Sequence, residues 1–350
     1  TSDELALWGR DGEALLKVLF KAVLPDVAMR PSHAAEFARQ IKLQKAPEIA
    51  ALPEVNSEKR VNETVDELRK LFVDSELGNR GMLALGGAFA EKTYVKTQLD
   101  FNLLPALLNG DHELVLITGN PGDGKTTFLN ALRGEIEQRN GKTVENTQAV
   151  WSGLLGTTSF TAVMDASESF EGKTSDEVLR AAMLPKGGAK KHVTVVAIND
   201  GRLRQFIDDF EEEVAGLREA WEDLEHESTA GSIVVVDLKQ RALVSNRQDG
   251  LGLKALDAMT SEKLWEERGC GDCSAKGVCP ILRNVKFLRT DGRMGIHRLA
   301  LMSHLSSQRR ATLRDFRSAT AFAITSDMGC AAVHQDLENG EAVENDPSRA

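Results

Sequence analysis

Eight residues, Gly119-Asn120-Pro121-Gly122-Asp123-Gly124-Lys125-Thr126, constrain what this chain can fold into more than any other stretch. They are a glycine, four residues and then Gly-Lys-Thr, set between two segments of different character. Before them, Leu114-Val115-Leu116-Ile117-Thr118 is a continuous apolar, partly β-branched run, the pattern of a strand buried on both faces. After them, 125–139 suits a helix, with Phe128, Leu129, Leu132 and Ile136 on one face and Gly141 as its C-terminal stop. Strand, glycine-rich loop and helix are the parts of a phosphate cradle. The loop can aim successive N–H groups at phosphate oxygens, and the helix N-terminus adds partial positive charge. Lys125 would reach the β- and γ-phosphates, Thr126 would offer its hydroxyl to Mg²⁺, and Thr127 closes the binding run. The expected ligands are a nucleoside triphosphate and Mg²⁺.

Further apolar runs follow. Phe160 to Met164 ends in Asp165, with Ala166, Ser167 and Glu168 next; Val193 to Ile198 ends in Asn199-Asp200; Ile233 to Val236 ends in Asp237. A short helix after Ser175 and a long one from Leu203 to about His226 lie between them. This alternation predicts an α/β fold with a parallel, doubly wound sheet. A carboxylate at the end of a buried strand can hold a magnesium water shell, and a second can polarise the attacking water. Asp165 suits the first role and Glu168 the second, although Ala166 and Ser167 separate them. An alternative register gives the magnesium role to Asp200. The strand between the phosphate-loop helix and Asp165 is expected within 144–155.

With Val195-Val196-Ala197-Ile198-Asn199 and Ala311-Thr312-Leu313-Arg314-Asp315-Phe316, the order of motifs over residues 97 to 325 resembles AAA+ P-loop ATPases. The resemblance narrows the nucleotide to ATP and implies that Asn199 contacts the γ-phosphate or the lytic water. It implies that Arg314 reaches the nucleotide from a helical lid, with Thr312 capping its helix. It also implies that a neighbouring subunit supplies an arginine, so a homo-oligomer is expected. Arg202, Arg204, Arg241 and Arg247 are the candidates. A helix over 99–108, just before the first strand, would cover the adenine or simply pack.

The stretch from Ala22 to Ser32, with Ala35-Glu36-Phe37, resembles the end of a protein-kinase C-lobe, where Arg30 would brace the lobe. Pro25 precedes Asp26 where that family has the reverse order, and no kinase catalytic motif is present. An ordinary helical hairpin is the alternative. The two resemblances together point to bacterial kinase–ATPase fusions of phage-defence islands, and to a piece of a larger polypeptide. The expected organisation is a helical segment at 1–44, a linker and helix at 45–96, an ATPase core at 97–238, a helical lid at 239–335 and a disordered acidic tail at 336–350.

All four cysteines fall in the last third. Cys270 and Cys273 have the Cys-x₂-Cys spacing that brings two thiolates to one metal, and Cys279 can return from a short loop. Cys330 or His334 would complete a tetrahedral zinc site, with His297 and His304 as further choices. A structural zinc is expected; inert or redox cysteines and an iron–sulfur cluster are the alternatives. Four cysteines do not make a disulfide framework, and no signal peptide or membrane-spanning run is present, so the cytoplasm is expected. The net charge of −10 excludes a uniformly nucleic-acid-coated surface. Residues 283–317 nonetheless carry nine Lys or Arg against Asp291 and Asp315. That segment could meet nucleic acid, with Arg309, Arg310 and Arg317 as contacts, or face an acidic helix or a neighbouring subunit. Mg²⁺-dependent ATP hydrolysis driving a conformational change is the leading expectation. A STAND-type nucleotide switch with little turnover and a DNA-binding adaptor are the rivals.

Overall fold

In a computed structural model of the chain, residues 61–71, 88–146, 149–167, 172–183, 191–210, 216–222, 232–244, 250–307 and 310–339 are described. The expected kinase-like segment at 1–44, the linker to residue 60, Glu168 and Arg247 lie outside them. The chain divides into two compact units: Tyr94–Leu251 with Thr312–Asp315, and Thr1–Thr93 with Gly252–Ala311 and Phe316–Ala350. Two short helices of the second unit come first, α1 (Glu63–Arg69) and α2 (Ala88–Lys92).

The first unit carries the sheet. A π-turn over Leu99–Leu103 runs into α3 (Leu104–Asn109), which Gly110 ends in the left-handed conformation. Strand β1 (Leu114–Thr118) is buried at every position, as its aliphatic run predicts. Helix α4 (Lys125–Gln138) follows the glycine loop. Its stop is made by two residues. Asn140 takes the left-handed position at φ 62°, and the Gly141 N–H reaches back to the Ile136 carbonyl at 2.8 Å. Glycine is needed at 141 because a Cβ there would lie 2.5 Å from the Ile136 side chain.

The unit continues with β2 (Lys142–Glu145), β3 (Val150–Leu155), β4 (Thr158–Val163), α5 (Ser175–Met183), β5 (Lys191–Ile198), α6 (Asp200–Phe210), α7 (Leu217–Glu222) and β6 (Ile233–Asp237). The strands form one six-stranded sheet in the order β2-β3-β4-β5-β1-β6. β4, β5, β1 and β6 run parallel, but β2 and β3 are antiparallel to their neighbours. The fold is therefore α/β with a mixed sheet, which corrects the expected all-parallel one. Only Gly156 and Thr157 separate β3 from β4, too little chain for the crossover that a parallel pair requires. The expected long helix is interrupted, because Gly216, just before α7, has a φ of 84° that cannot continue a helix.

Alternate residues of β1 face opposite sides of the sheet. Val115 and Ile117 join Phe128, Leu129, Leu132, Ile136, Trp151 and Phe160 in one core layer. Leu114 and Leu116 join Val196, Leu203, Phe206 and Leu217 in the other. Each such buried side chain contributes about 1.5–3 kcal/mol relative to exposure, so both layers brace the strand that carries the glycine loop.

All described elements of the second unit are helical. Besides α1 and α2 it holds α8 (Leu251–Met259), α9 (Glu262–Trp265) running into a π-turn over Glu266–Cys270, α10 (Pro280–Arg289), α11 (Arg293–Ser307), α12 (Leu313–Thr325) from Phe316 onward and α13 (Cys330–Glu338), while the first turn of α12, through Asp315, belongs to the sheet unit. Helix α1 belongs to it by hydrogen bonding. Asn62 caps α1 by accepting from the Thr64 N–H at 2.9 Å, and its amide donates to the Leu264 carbonyl at 2.8 Å. Asn284 donates to the Ile324 carbonyl at 3.1 Å and ties α10 to α12. The first residues of the expected acidic tail are ordered differently from that reading, since α13 runs through Asp336 to Glu338.

Candidate functional site

The loop after β1 is closed by its own side chains. The Asp123 carboxylate is only 2% exposed and accepts the Asn120 N–H at 2.8 Å, while the Asp123 N–H donates to the Asn120 carbonyl at 3.1 Å. Gly122 and Gly124 hold φ of 94° and 96°, a region that side chains disfavour. Lys125 opens α4 and is 7% exposed. Its ammonium donates to the carbonyls of Gly119 (2.7 Å) and Asn120 (3.2 Å) and to Asn199 Oδ1 (2.9 Å). Burial pushes the Lys125 pKa below its ordinary value, with Asp165 and Asp123 opposing and Arg314 reinforcing the shift. Lys125 and Asn199, far apart in sequence, are thus brought together because β1 and β5 are neighbours in the sheet.

The end of β4 lies beside them. The Thr126 hydroxyl, exposed in the first turn of α4, donates to the Met164 carbonyl at 3.3 Å. Asp165 is next in sequence and exposed, and its Oδ1 accepts the Ser167 N–H at 2.8 Å. The Ala166 N–H bonds the Ala197 carbonyl at 2.8 Å, and the Asn199 N–H bonds Ser167 Oγ at 2.7 Å. These bonds hold the ends of β4 and β5 in register. Asp200 is differently placed: its carboxylate pairs with Lys239 at 2.7 Å.

Arg314 comes from the first turn of α12, where Thr312 and Asp315 form a reciprocal cap. Its backbone N–H donates to the Gly122 carbonyl at 3.2 Å. A Cβ on Gly122 would lie 2.8 Å from Arg314 Cβ and 2.9 Å from Thr312 Oγ1. Arg241, considered only as a residue for a neighbouring subunit, sits on this loop in its own chain, its guanidinium donating to the Asp123 carbonyl. The available signal was strand order, because Asp237 ends β6 directly opposite Thr118. Arg202 is held by Ser175 Oγ at 2.8 Å and by Asp176, while Arg204 is exposed. The structural part of Asp123 was also missed.

In the helical unit, Cys270, Cys273, Cys279, Cys330 and His334 line one cavity of about 20 Å³, with Lys276 at its wall. His297 and His304 do not line it. None of the four thiols is in a disulfide, and each sulfur meets a nitrogen. The Asn62 amide donates to Cys270 at 3.4 Å, His334 Nε2 is 3.5 Å from Cys273, the Leu282 and Ile281 N–H groups face Cys279, and the Asn62 N–H faces Cys330. Burial pushes the thiols of Cys270 and Cys330 up and that of Cys279 up to about 11, against these donors. Among the described residues no set of three or more His, Cys, Asp or Glu is already drawn together so that it could hold a metal ion.

Much of the basic segment is engaged locally. Arg289 pairs with Glu262 at 2.7 Å, and Arg293 with Asp257 at 2.8 Å. Arg317, expected as a nucleic-acid contact, is turned inward: it donates to Thr93 Oγ1 at 2.7 Å and lies 6.0 Å from the Phe89 ring centre. Burial pushes its pKa down to about 10. Arg309 lies outside the described residues. No described helix is long and apolar enough to cross a membrane. Compared with known proteins, the chain matches no family model, no curated protein and no solved structure.

Proposed function

We propose that the sheet unit is an AAA+-like P-loop module that binds ATP with Mg²⁺ and hydrolyses it. The observation that carries this reading is the Lys125 ammonium, held at the mouth of a glycine loop by an asparagine from the adjacent strand. The strand order supports it. The aspartate strand β4 is separated from β1 by the asparagine strand β5, and β6 lies on the far side of β1. Backbone from Gly119 to Gly124 would wrap the phosphates, and Lys125 would exchange its present acceptors for β- and γ-oxygens. Thr126 and Asp165 offer oxygen ligands or hydrogen-bond acceptors suited to a hard divalent ion, which when bound would neutralise phosphate charge. Asp200 suits this less, being paired with Lys239. Water attack on the γ-phosphorus breaks its bond to the β–γ bridging oxygen and releases ADP and phosphate. Asn199 would orient the γ-phosphate or the water, and the Arg314 and Arg241 side chains lie close enough to the loop to meet the developing charge.

The sequence resemblances extend the proposal to a kinase-associated, phage-defence protein whose conformation the ATPase drives, with exposed Arg204 available to a neighbouring subunit of a homo-oligomer. A switch with little turnover is the second reading. It is favoured by one observation: Lys125 and Arg241 side chains, and the Arg314 backbone, are all bonded to loop carbonyls. Calorimetric titration with ATP and Mg²⁺, beside steady-state phosphate release, tests both. Lys125→Ala should weaken ATP binding by at least roughly 10–150-fold, the loss of one charge-assisted hydrogen bond at about 1.5–3 kcal/mol. Equal affinity in the variant would remove the site assignment. Binding without measurable release would select the switch.

A further inference from the structure

The cysteine cavity carries an inference independent of the nucleotide. Three separate stretches of the helical unit converge on it: the π-turn and following loop with Cys270, Cys273 and Cys279, the start of α13 with Cys330, and the cap of α1 with Asn62. Chance burial of thiols, which behave as small apolar groups, does not ask for polar neighbours. Here every sulfur faces at least one nitrogen, and nitrogen donors are what a thiolate bound to a metal needs around it. Cys279 is also the residue before α10, with Pro280 in its first turn, so the free N–H groups of Ile281 and Leu282 face its sulfur. The cavity, about 20 Å³, is of the size that one ion or water fills.

We infer that Cys270, Cys273, Cys279 and Cys330 form a closed four-thiolate zinc site that fastens α13 and the cap of α1 to the loop before α10. The sulfurs must close inward when the ion enters, since they line the cavity without yet being drawn together as a ligand set. Zn²⁺ displaces four thiol protons to solvent and leaves a site of net charge −2, which Lys276 at the wall partly offsets. Four sulfur ligands leave no open position, so the site is structural rather than catalytic. His334 is then a hydrogen-bond donor to Cys273, not a ligand.

Elemental analysis of the purified full chain should give about one zinc per chain, as a single four-ligand site requires. Cys279→Ser and Cys330→Ser should each lose the metal. His334→Ala should keep full occupancy in excess zinc but bind with about 10–100-fold lower affinity, as loss of a supporting hydrogen bond does. Because the serine variants can fail to fold, cobalt exchange into the unaltered chain is the second measurement. It should give the visible bands of a tetrahedral cobalt–thiolate centre. Iron with acid-labile sulfide, a folded metal-free chain that takes up neither zinc nor cobalt, or zinc retained in Cys330→Ser but lost in His334→Ala would each overturn the proposal.

Discussion

Gly122→Ala tests the phosphate loop and the seat of Arg314 together. Two costs arise at this position. The backbone sits at φ 94°, where a non-glycine residue costs about 1–3 kcal/mol. The new methyl would also lie 2.8 Å from Arg314 Cβ and 2.9 Å from Thr312 Oγ1. Both belong to a capped helix turn rather than to the tip of a flexible side chain, so the helix must move or the loop must tilt, at about 1–3 kcal/mol for overpacking. The expected destabilisation of the sheet unit is therefore roughly 2–6 kcal/mol. Two other glycines separate the terms. Gly156 has φ 59° and open space around its missing Cβ, so Gly156→Ala should cost about 1–2 kcal/mol from conformation alone. Gly134 lies within α4, also in open space, so Gly134→Ala should stabilise by about 0.5–1 kcal/mol. Urea denaturation followed by circular dichroism measures all three, and ATP titration of Gly122→Ala should show a loss of at least about tenfold, one lost backbone hydrogen bond's worth. If Gly122→Ala matched Gly156→Ala in stability and the parent in affinity, Arg314 could not be seated against the loop.

Asp165→Asn should abolish the magnesium dependence of ATP binding, whereas Asp200→Asn should leave it and cost under about 1 kcal/mol of stability, the value of a partly exposed ion pair; the reverse result in magnesium titrations would transfer the role to Asp200. Asn199→Ala should lower phosphate release by at least about tenfold with ATP affinity largely kept, as for a residue acting mainly in the transition state; an unchanged rate would remove Asn199 from the chemistry. The depressed Lys125 pKa sets a pH dependence of known sign. Below the depressed value both folded and unfolded chains hold the proton. Between it and about 10.5 only the unfolded chain does, so folding becomes more favourable as pH rises through that window. Relative to Lys125→Met, the parent should gain stability as pH rises toward the ordinary lysine value of about 10.5, and a difference that is flat or falls with pH would contradict the burial of a charged amine.

The segment from β1 through α4 was legible because its signals are local: an apolar run, glycines at turning points and a helical stripe. Asp165 and Asn199 were legible as residues ending apolar runs, but their distance from Lys125 depends on which strands are neighbours, and no local pattern encodes that. The strand expected within 144–155 is β3, and β2 was not separated from it because Lys142, Thr143, Val144 and Glu145 give it no buried face; it pairs antiparallel with β3 across a short loop. Charge counting over 283–317 is likewise blind to which cations are paired within the chain. Arg289 and Arg293 find carboxylates on α9 and α8, and Arg317 turns inward to Thr93. The Cys-x₂-Cys pair was visible in the sequence, yet only packing distinguishes Cys330 and His334, which line the cavity, from His297 and His304, which do not. Helix α1 joins a unit some two hundred positions away through Asn62, a cap residue whose second hydrogen bond nothing nearby announces.

If the glycine loop binds nucleotide as proposed, the engaged Lys125 would make it selective before any base or sugar is recognised. Its ammonium already satisfies three oxygens, so an arriving anion must replace Gly119, Asn120 and Asn199 rather than fill a vacancy. A lone inorganic phosphate supplies few oxygens to one side of the loop and leaves that exchange near balance. A triphosphate tail, running from the helix N-terminus toward Asn199, can replace all three acceptors and collect loop N–H donors as well. In the proposed nucleotide site, small phosphoanions would thereby compete poorly with the protein's own carbonyls, and chain length of the polyphosphate would be the first property read.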